Sequence, residues 1–151
     1  MPTITPFLWF DTQAEEAMNF YASIFKRSKV VAVNRVQGRV MSVQFELEGQ
    51  KFIGLNGGPQ FKFTEAVSFL VGCDTQQEID ASWTALTADG GAPSRCGWLK
   101  DKFGLSWQII PNTLGRMLSE KDAAKSKRVM NAMLQMDKLD LKRLQEAYNG
   151  E

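Results

Sequence analysis

The chain has 151 residues, and with 44% hydrophobic and 23% charged side chains it carries enough apolar mass for a core and has ordinary globular composition. Eighteen Lys and Arg against seventeen Asp and Glu leave a formal charge of +1, which gives no reason to expect a nucleic-acid partner. Histidine is absent, and with it Ser-His-Asp and Cys-His nucleophiles, His-ligated zinc and imidazole acid-base chemistry.

The length fits a single domain over residues 1–151, or two small halves packed together. The longest apolar stretches fall far short of the roughly 20 residues that span a bilayer, so no membrane partner is expected. The start, Met1 to Asp11, lacks a basic segment leading into a signal core. Two cysteines, Cys73 and Cys96, are too few for a secreted disulfide scaffold and read as free thiols. The expectation is a soluble cytoplasmic protein.

Along the chain, an apolar run from Thr3 to Phe10 predicts a first strand. Asp11-Thr12-Gln13-Ala14-Glu15 then opens a helix whose Ala17, Met18, Tyr21, Ile24 and Phe25 recur at three-to-four-residue spacing, ending near Lys26-Arg27-Ser28. Strands follow over Val30 to Val36, Arg39 to Glu48 and Lys51 to Leu55, with Gly38 and Gly49 at the turns. A second apolar run, Ala66 to Cys73, precedes Asp74-Thr75-Gln76-Gln77-Glu78, which repeats the pattern D-T-Q-x-E and opens a helix carrying Ile79, Trp83 and Leu86. In both junctions the Thr and Glu have capping-box spacing. That helix stops at Asp89-Gly90-Gly91, and strands around Arg95 to Leu99 and Leu105 to Ile110 flank an Asp101-to-Gly104 turn. The order βαβββ therefore occurs twice, the second copy shorter, and internal duplication explains the repeated junction.

Beyond Pro111 the pattern turns helical. Leu114, Met117 and Leu118 give a short turn. Ser119 with Asp122 starts a helix through Gln135, and Asp140 caps a last one carrying Leu141, Leu144 and Tyr148. Met130, Met133 and Met136 follow helical spacing and read as packing.

The runs Phe52 to Pro59 with Phe61-Lys62-Phe63, and Cys96 to Pro111, resemble the PhnB-like branch of the vicinal oxygen chelate superfamily, which includes glyoxalase I, bleomycin-resistance proteins and extradiol dioxygenases. Thr5 to Phe10 and Ala17 to Tyr21 are similar to it as well. The resemblance implies an α+β fold in which two tandem βαβββ modules, residues 3–58 and 66–111, form a curved mixed-sheet cup, with residues 112–151 a helical extension. It also implies a homodimer. Members of this branch often carry the name 3-demethylubiquinone 3-methyltransferase. Yet neither strand-to-helix turn has the glycines that cradle a nucleotide-like cofactor, and Asn56-Gly57-Gly58-Pro59 leaves a strand without entering a helix. No cofactor is expected.

Superfamily enzymes place metal ligands on the first and last strands of each module. The matching positions here are Thr5, Ser68 and Gln108, with the fourth near Gly54 or Asn56. Neutral oxygen donors suit a divalent ion poorly, so no catalytic metal is expected. The candidate cup residues are Thr5, Phe7, Trp9, Asn56, Ser68, Leu70, Trp98 and Gln108, with no catalytic residue assigned. Period-two alternation puts Thr5, Phe7 and Trp9 on one face and Leu8 and Phe10 toward the helices. Phe61, Phe63 and Trp107 stand as further aromatics for either a pocket or a core. Lys100 and Asp101 beside Cys96 could make it a nucleophile, though a small packed thiol is the plainer reading. Glu46 reads as a solvated strand face ahead of a general base. The partner expected is a small hydrophobic or aromatic molecule. The alternative is an enzyme acting on a quinone-like substrate, by methyl transfer or as a lyase.

Overall fold

A computed structural model describes all 151 residues. They divide into two compact units, Met1–Phe63 and Thr64–Glu151. In the first, β1 (Phe7–Phe10), α1 (Ala14–Ile24), β2 (Ser28–Val36), β3 (Arg39–Leu47) and β4 (Gln50–Asn56) follow one another. In the second the same order returns as β5 (Ser68–Cys73), α2 (Gln76–Thr87), β6 (Ala92–Pro93), β7 (Trp98–Lys100) and β8 (Ser106–Pro111). The tail adds α3 (Leu114–Leu118), α4 (Ala123–Met133) and α5 (Leu141–Asn149).

Each unit holds one four-stranded mixed sheet, ordered β1-β4-β3-β2 and β5-β8-β7-β6. In each, the first strand runs parallel to the fourth and the other neighbours are antiparallel. The correspondence extends to single hydrogen bonds. The Gly57 amide donates to the Phe10 carbonyl at 2.9 Å, and the Asn112 amide donates to the Cys73 carbonyl at 2.8 Å, each bond closing the parallel pair just past its last strand residue. The predicted duplication is thus present in topology and register. The second copy is the shorter, with β6 only two residues long against nine in β2.

The first unit's helix face follows from its sequence. Ala14, Ala17, Met18 and Tyr21 share one stripe of α1 and are buried against Val43, Phe45 and Leu47, the alternate residues of β3. Phe45 stacks on Phe52 of β4 with ring centroids 5.4 Å apart. In β1 Leu8 and Phe10 are buried while Phe7 is 58% exposed, the alternation expected of a strand with one face on the core. The strand is shorter than the apolar run, because Pro6 has no amide to donate; its carbonyl accepts from Ile53 at 3.0 Å and the ladder ends there. Likewise β5 starts at Ser68, not Ala66.

The two D-T-Q-x-E junctions are capped differently, which corrects the expectation of two capping boxes. Thr75 Oγ1 accepts from the Glu78 amide at 3.2 Å and donates to the Glu78 carboxylate at 3.3 Å. In the first unit Gln13, not Thr12, occupies the cap position, and no side chain there bonds the helix. Asn56, at the end of β4, accepts from the Ala14 amide at 2.8 Å instead. Thr75→Ala should therefore cost about 1 kcal/mol of stability, and Thr12→Ala should leave the denaturation midpoint unchanged.

In the tail, Asp122 accepts from the Ala124 amide and Asp140 from the Arg143 amide, as expected of helix caps. Leu114, Met117, Val129, Met136, Leu139 and Leu144 make a small core of their own. The tail is tied to the second module through Gln76, whose Nε2 donates to Leu139 O at 3.1 Å and whose Oε1 accepts from Leu141 N at 2.7 Å. The amides of Cys96 and Gly97 donate to Met136 O and Asp137 O at 2.8 and 2.7 Å. No helix is long and apolar enough to cross a membrane.

Candidate functional site

With α1 on one side of the first sheet, the other side is its open face. Phe7 and Trp9 lie on it, and parallel register places Ile53 and Leu55 of β4 beside them. The Trp9 indole Nε1 donates to Gly58 O at 2.9 Å, and Phe61 meets the ring edge-on at 4.9 Å between centroids. Gly57 allows this, since a Cβ there would overlap the Trp9 ring. The glycines after β4 thus make room for an indole. Thr5 is half-buried, two residues ahead of β1 and outside the sheet. Asn56 lies on the helix side, committed to the α1 N-terminus and, through Nδ2, to Val40 O at 3.1 Å.

The open face of the second sheet carries the other four candidates. Leu70 and Trp98 are both register partners of Gln108, on strands that flank β8 from either side. Gln108 Nε2 donates to Ser68 Oγ at 2.9 Å. Leu70 is 60% exposed, and Trp98 is half-buried. The structure therefore gathers Phe7 with Trp9, and Ser68 with Leu70, Trp98 and Gln108; it sets Thr5 and Asn56 apart from these faces.

Register also resolves the fourth ligand position. Gln108 stands opposite Leu70 as Ile53 stands opposite Phe7, so the residue equivalent to Gln108 in the first unit is Ile53, not Gly54 or Asn56. The four positions carry two hydroxyls, an alkyl group and an amide. No group of three or more His, Cys, Asp or Glu gathers elsewhere in a way that could hold a metal ion.

Trp107 does not join the open face. It is 3% exposed on the helix side, and its Nε1 donates to Asp101 Oδ2 at 2.9 Å. Asp101, only 2% exposed, also accepts from the amides of Phe103 and Leu105 at 2.9 and 3.0 Å. Sequence reasoning placed Asp101 in the turn but missed its burial. The signal was an Asp opening a four-residue turn that ends in Gly104, the pattern in which a carboxylate binds backbone amides two residues on. Cys73 is buried, and burial together with the nearby carboxylates of Glu78 and Asp74 pushes its thiol up to about 11, which keeps it protonated and unreactive. Glu46 is half-buried on the open face of the first sheet, opposite Lys29 and Lys51 on the neighbouring strands.

Comparison with solved structures places this architecture in the glyoxalase and bleomycin-resistance fold. A fosfomycin resistance protein from Listeria monocytogenes, solved with Mn(II) and sulfate, shares it at 12% identity and a TM-score of 0.57, over 78% of this chain and 94% of that one. A glyoxalase/bleomycin resistance protein from Albidiferax ferrireducens does so at 12% identity and a TM-score of 0.51, over 72% and 97%. At those identities only the fold is shared. A PhnB protein from Bacillus cereus, bearing the name 3-demethylubiquinone-9 3-methyltransferase, is 37% identical over 73% of this chain and 99% of its own, with a TM-score of 0.68. No curated protein matches the chain. Residues 2–110 match the 3-demethylubiquinone-9 3-methyltransferase family, and the chain belongs to that PhnB-like family. The match ends before α3, so the helical tail lies outside it.

Proposed function

We propose that this chain is a PhnB-like small-molecule-binding protein that holds a small hydrophobic or aromatic molecule on the open faces of its sheets without a catalytic metal, acting as a cytoplasmic homodimer. The observation that carries the reading is the chemistry at the four positions superfamily enzymes use for a metal. Thr5, Ile53, Ser68 and Gln108 supply no anionic or imidazole donor, and Gln108 spends an amide proton on Ser68 at 2.9 Å. A divalent ion does not suit these donors. The open face of the first sheet presents Phe7, Trp9 and Leu55 and that of the second presents Leu70 and Trp98, each offering apolar contact area to a planar guest.

S-adenosylmethionine, which the family name implies, fits no better. Neither strand-to-helix junction carries a glycine, and at Gly57 the space a cofactor would need is taken by the Trp9 indole. The enzyme reading rests on the family name. Incubation with S-adenosylmethionine and a 3-demethylubiquinone analogue, followed by mass spectrometry, separates the two: binding predicts no methylated product, and turnover would establish the enzyme. The dimer is supported by apolar side chains left open on β1 and β5, each at one edge of its sheet, and just ahead of β5: Phe7 is 58%, Leu70 60% and Val67 63% exposed. Sedimentation should give twice the chain mass.

A further inference from the structure

At the β6–β7 end of the second sheet lies a pocket of about 280 Å³ lined by Glu65, Pro93, Ser94, Trp98, Lys100 and Ser106. We infer that it is an anion subsite for a small aromatic carboxylate. The inference extends the proposed binding role by naming the charge and size of one guest. Three features point to it. Ser106 contributes to the lining, is 1% exposed, and its Oγ has no hydrogen-bond partner. A buried hydroxyl left unpaired is rare in a folded protein and is satisfied by whatever polar atom enters beside it.

Lys100 stands directly opposite Ser106 in the β7–β8 register, so the two side chains leave the same face of the sheet, and both line the pocket. An ammonium and a hydroxyl lining one pocket are donors for the two oxygens of a carboxylate. Lys100 is now paired with Glu65. Glu65 is the looser partner, its side chain 61% exposed against 46% for Lys100, and it precedes β5 without belonging to a strand. A guest carboxylate can take its place. Trp98 and Pro93 supply an apolar wall for the ring. The volume lies just under the roughly 300–1,000 Å³ of pockets that take drug-sized ligands, which suits a single ring.

Benzoate is the probe, titrated at low salt and followed by NMR on the full-length protein. Wild type should show saturable binding with shifts at Trp98 and Ser106. Lys100→Gln should weaken it by about tenfold, the loss of one charge-assisted hydrogen bond. Glu65→Gln should tighten it, because the competing carboxylate is gone. Ser106→Ala should weaken binding while leaving thermal stability equal to wild type or higher, since it removes an unpaired polar atom; this keeps the test clear of misfolding. Neutral 1-naphthol serves as the comparison ligand. If it binds in a Trp9-dependent way but benzoate does not saturate, or if Lys100→Gln and Glu65→Gln leave benzoate affinity unchanged, the anion subsite is overturned and the broader binding role stands. If neither probe binds, both fail.

Discussion

Asp101→Ala is expected to lower the stability of the second unit by about 4 kcal/mol, read as a shift of the urea midpoint at unchanged slope. The carboxylate is 2% exposed and accepts from three donors: the amides of Phe103 and Leu105 and the indole of Trp107. Alanine leaves all three facing a void that offers no acceptor. Each charge-assisted bond contributes about 1.5–3 kcal/mol, and the three are coupled through one side chain, so the total falls short of their sum. Asp101→Asn sharpens the test. Its carbonyl oxygen can keep the two backbone amides, but its NH2 group then meets the Trp107 N–H, donor against donor, so a loss of roughly half is expected. If Asp101→Ala unfolded at the wild-type midpoint, the carboxylate would not be the anchor of the β7–β8 turn.

The second large effect separates the two faces of β1. Trp9→Ala should weaken 1-naphthol binding by about tenfold or more while the protein remains folded, since the half-buried indole is an aromatic wall of the open face. Leu8→Ala should do the reverse. Leu8 is 6% exposed on the helix side, so its truncation should cost on the order of 2–5 kcal/mol of stability and leave the affinity of the folded protein intact. The two residues are neighbours in sequence, and only the pleat sends them to opposite environments. Equal affinity for wild type and a folded Trp9→Ala would place the ligand elsewhere.

Much of this architecture is legible in the residues, for reasons that differ by element. The alternation of Val43, Phe45 and Leu47 with Gln44 and Glu46 reports a sheet with one dry face, and the stripe on α1 reports what covers it. The duplicated D-T-Q-x-E marks both strand-to-helix junctions, because a chain turning from extended to helical backbone favours short polar residues there. What local spacing does not carry is which donor a long-range partner reaches. Asn56 takes the α1 amide from 42 residues away, and that contact displaces the box that Thr12 and Glu15 have the spacing to form.

The candidate site was legible to the same degree. Phe7, Trp9, Ser68, Leu70, Trp98 and Gln108 share the open faces because period-two geometry is local. Asn56 falls on the helix side because the β1–β4 register pairs it with Phe10, a core residue. The equivalence of Ile53 with Gln108, the burial of Asp101 and the placement of Lys100 opposite Ser106 all depend on strand pairing. No periodicity within one strand encodes it. Trp107 shows the point: beside Gln108 in sequence, it turns to the opposite face and is held there by Asp101.

The central claim is that this protein binds a small aromatic molecule without a metal. Calorimetric titration of chelator-treated wild-type protein with 1-naphthol tests it most directly. Saturable binding at one molecule per chain is expected, with a Kd on the order of 10–100 μM that is unchanged when Mn(II) or Zn(II) is restored. Binding that appears only after a divalent ion is added, or no saturable heat at all, would contradict it.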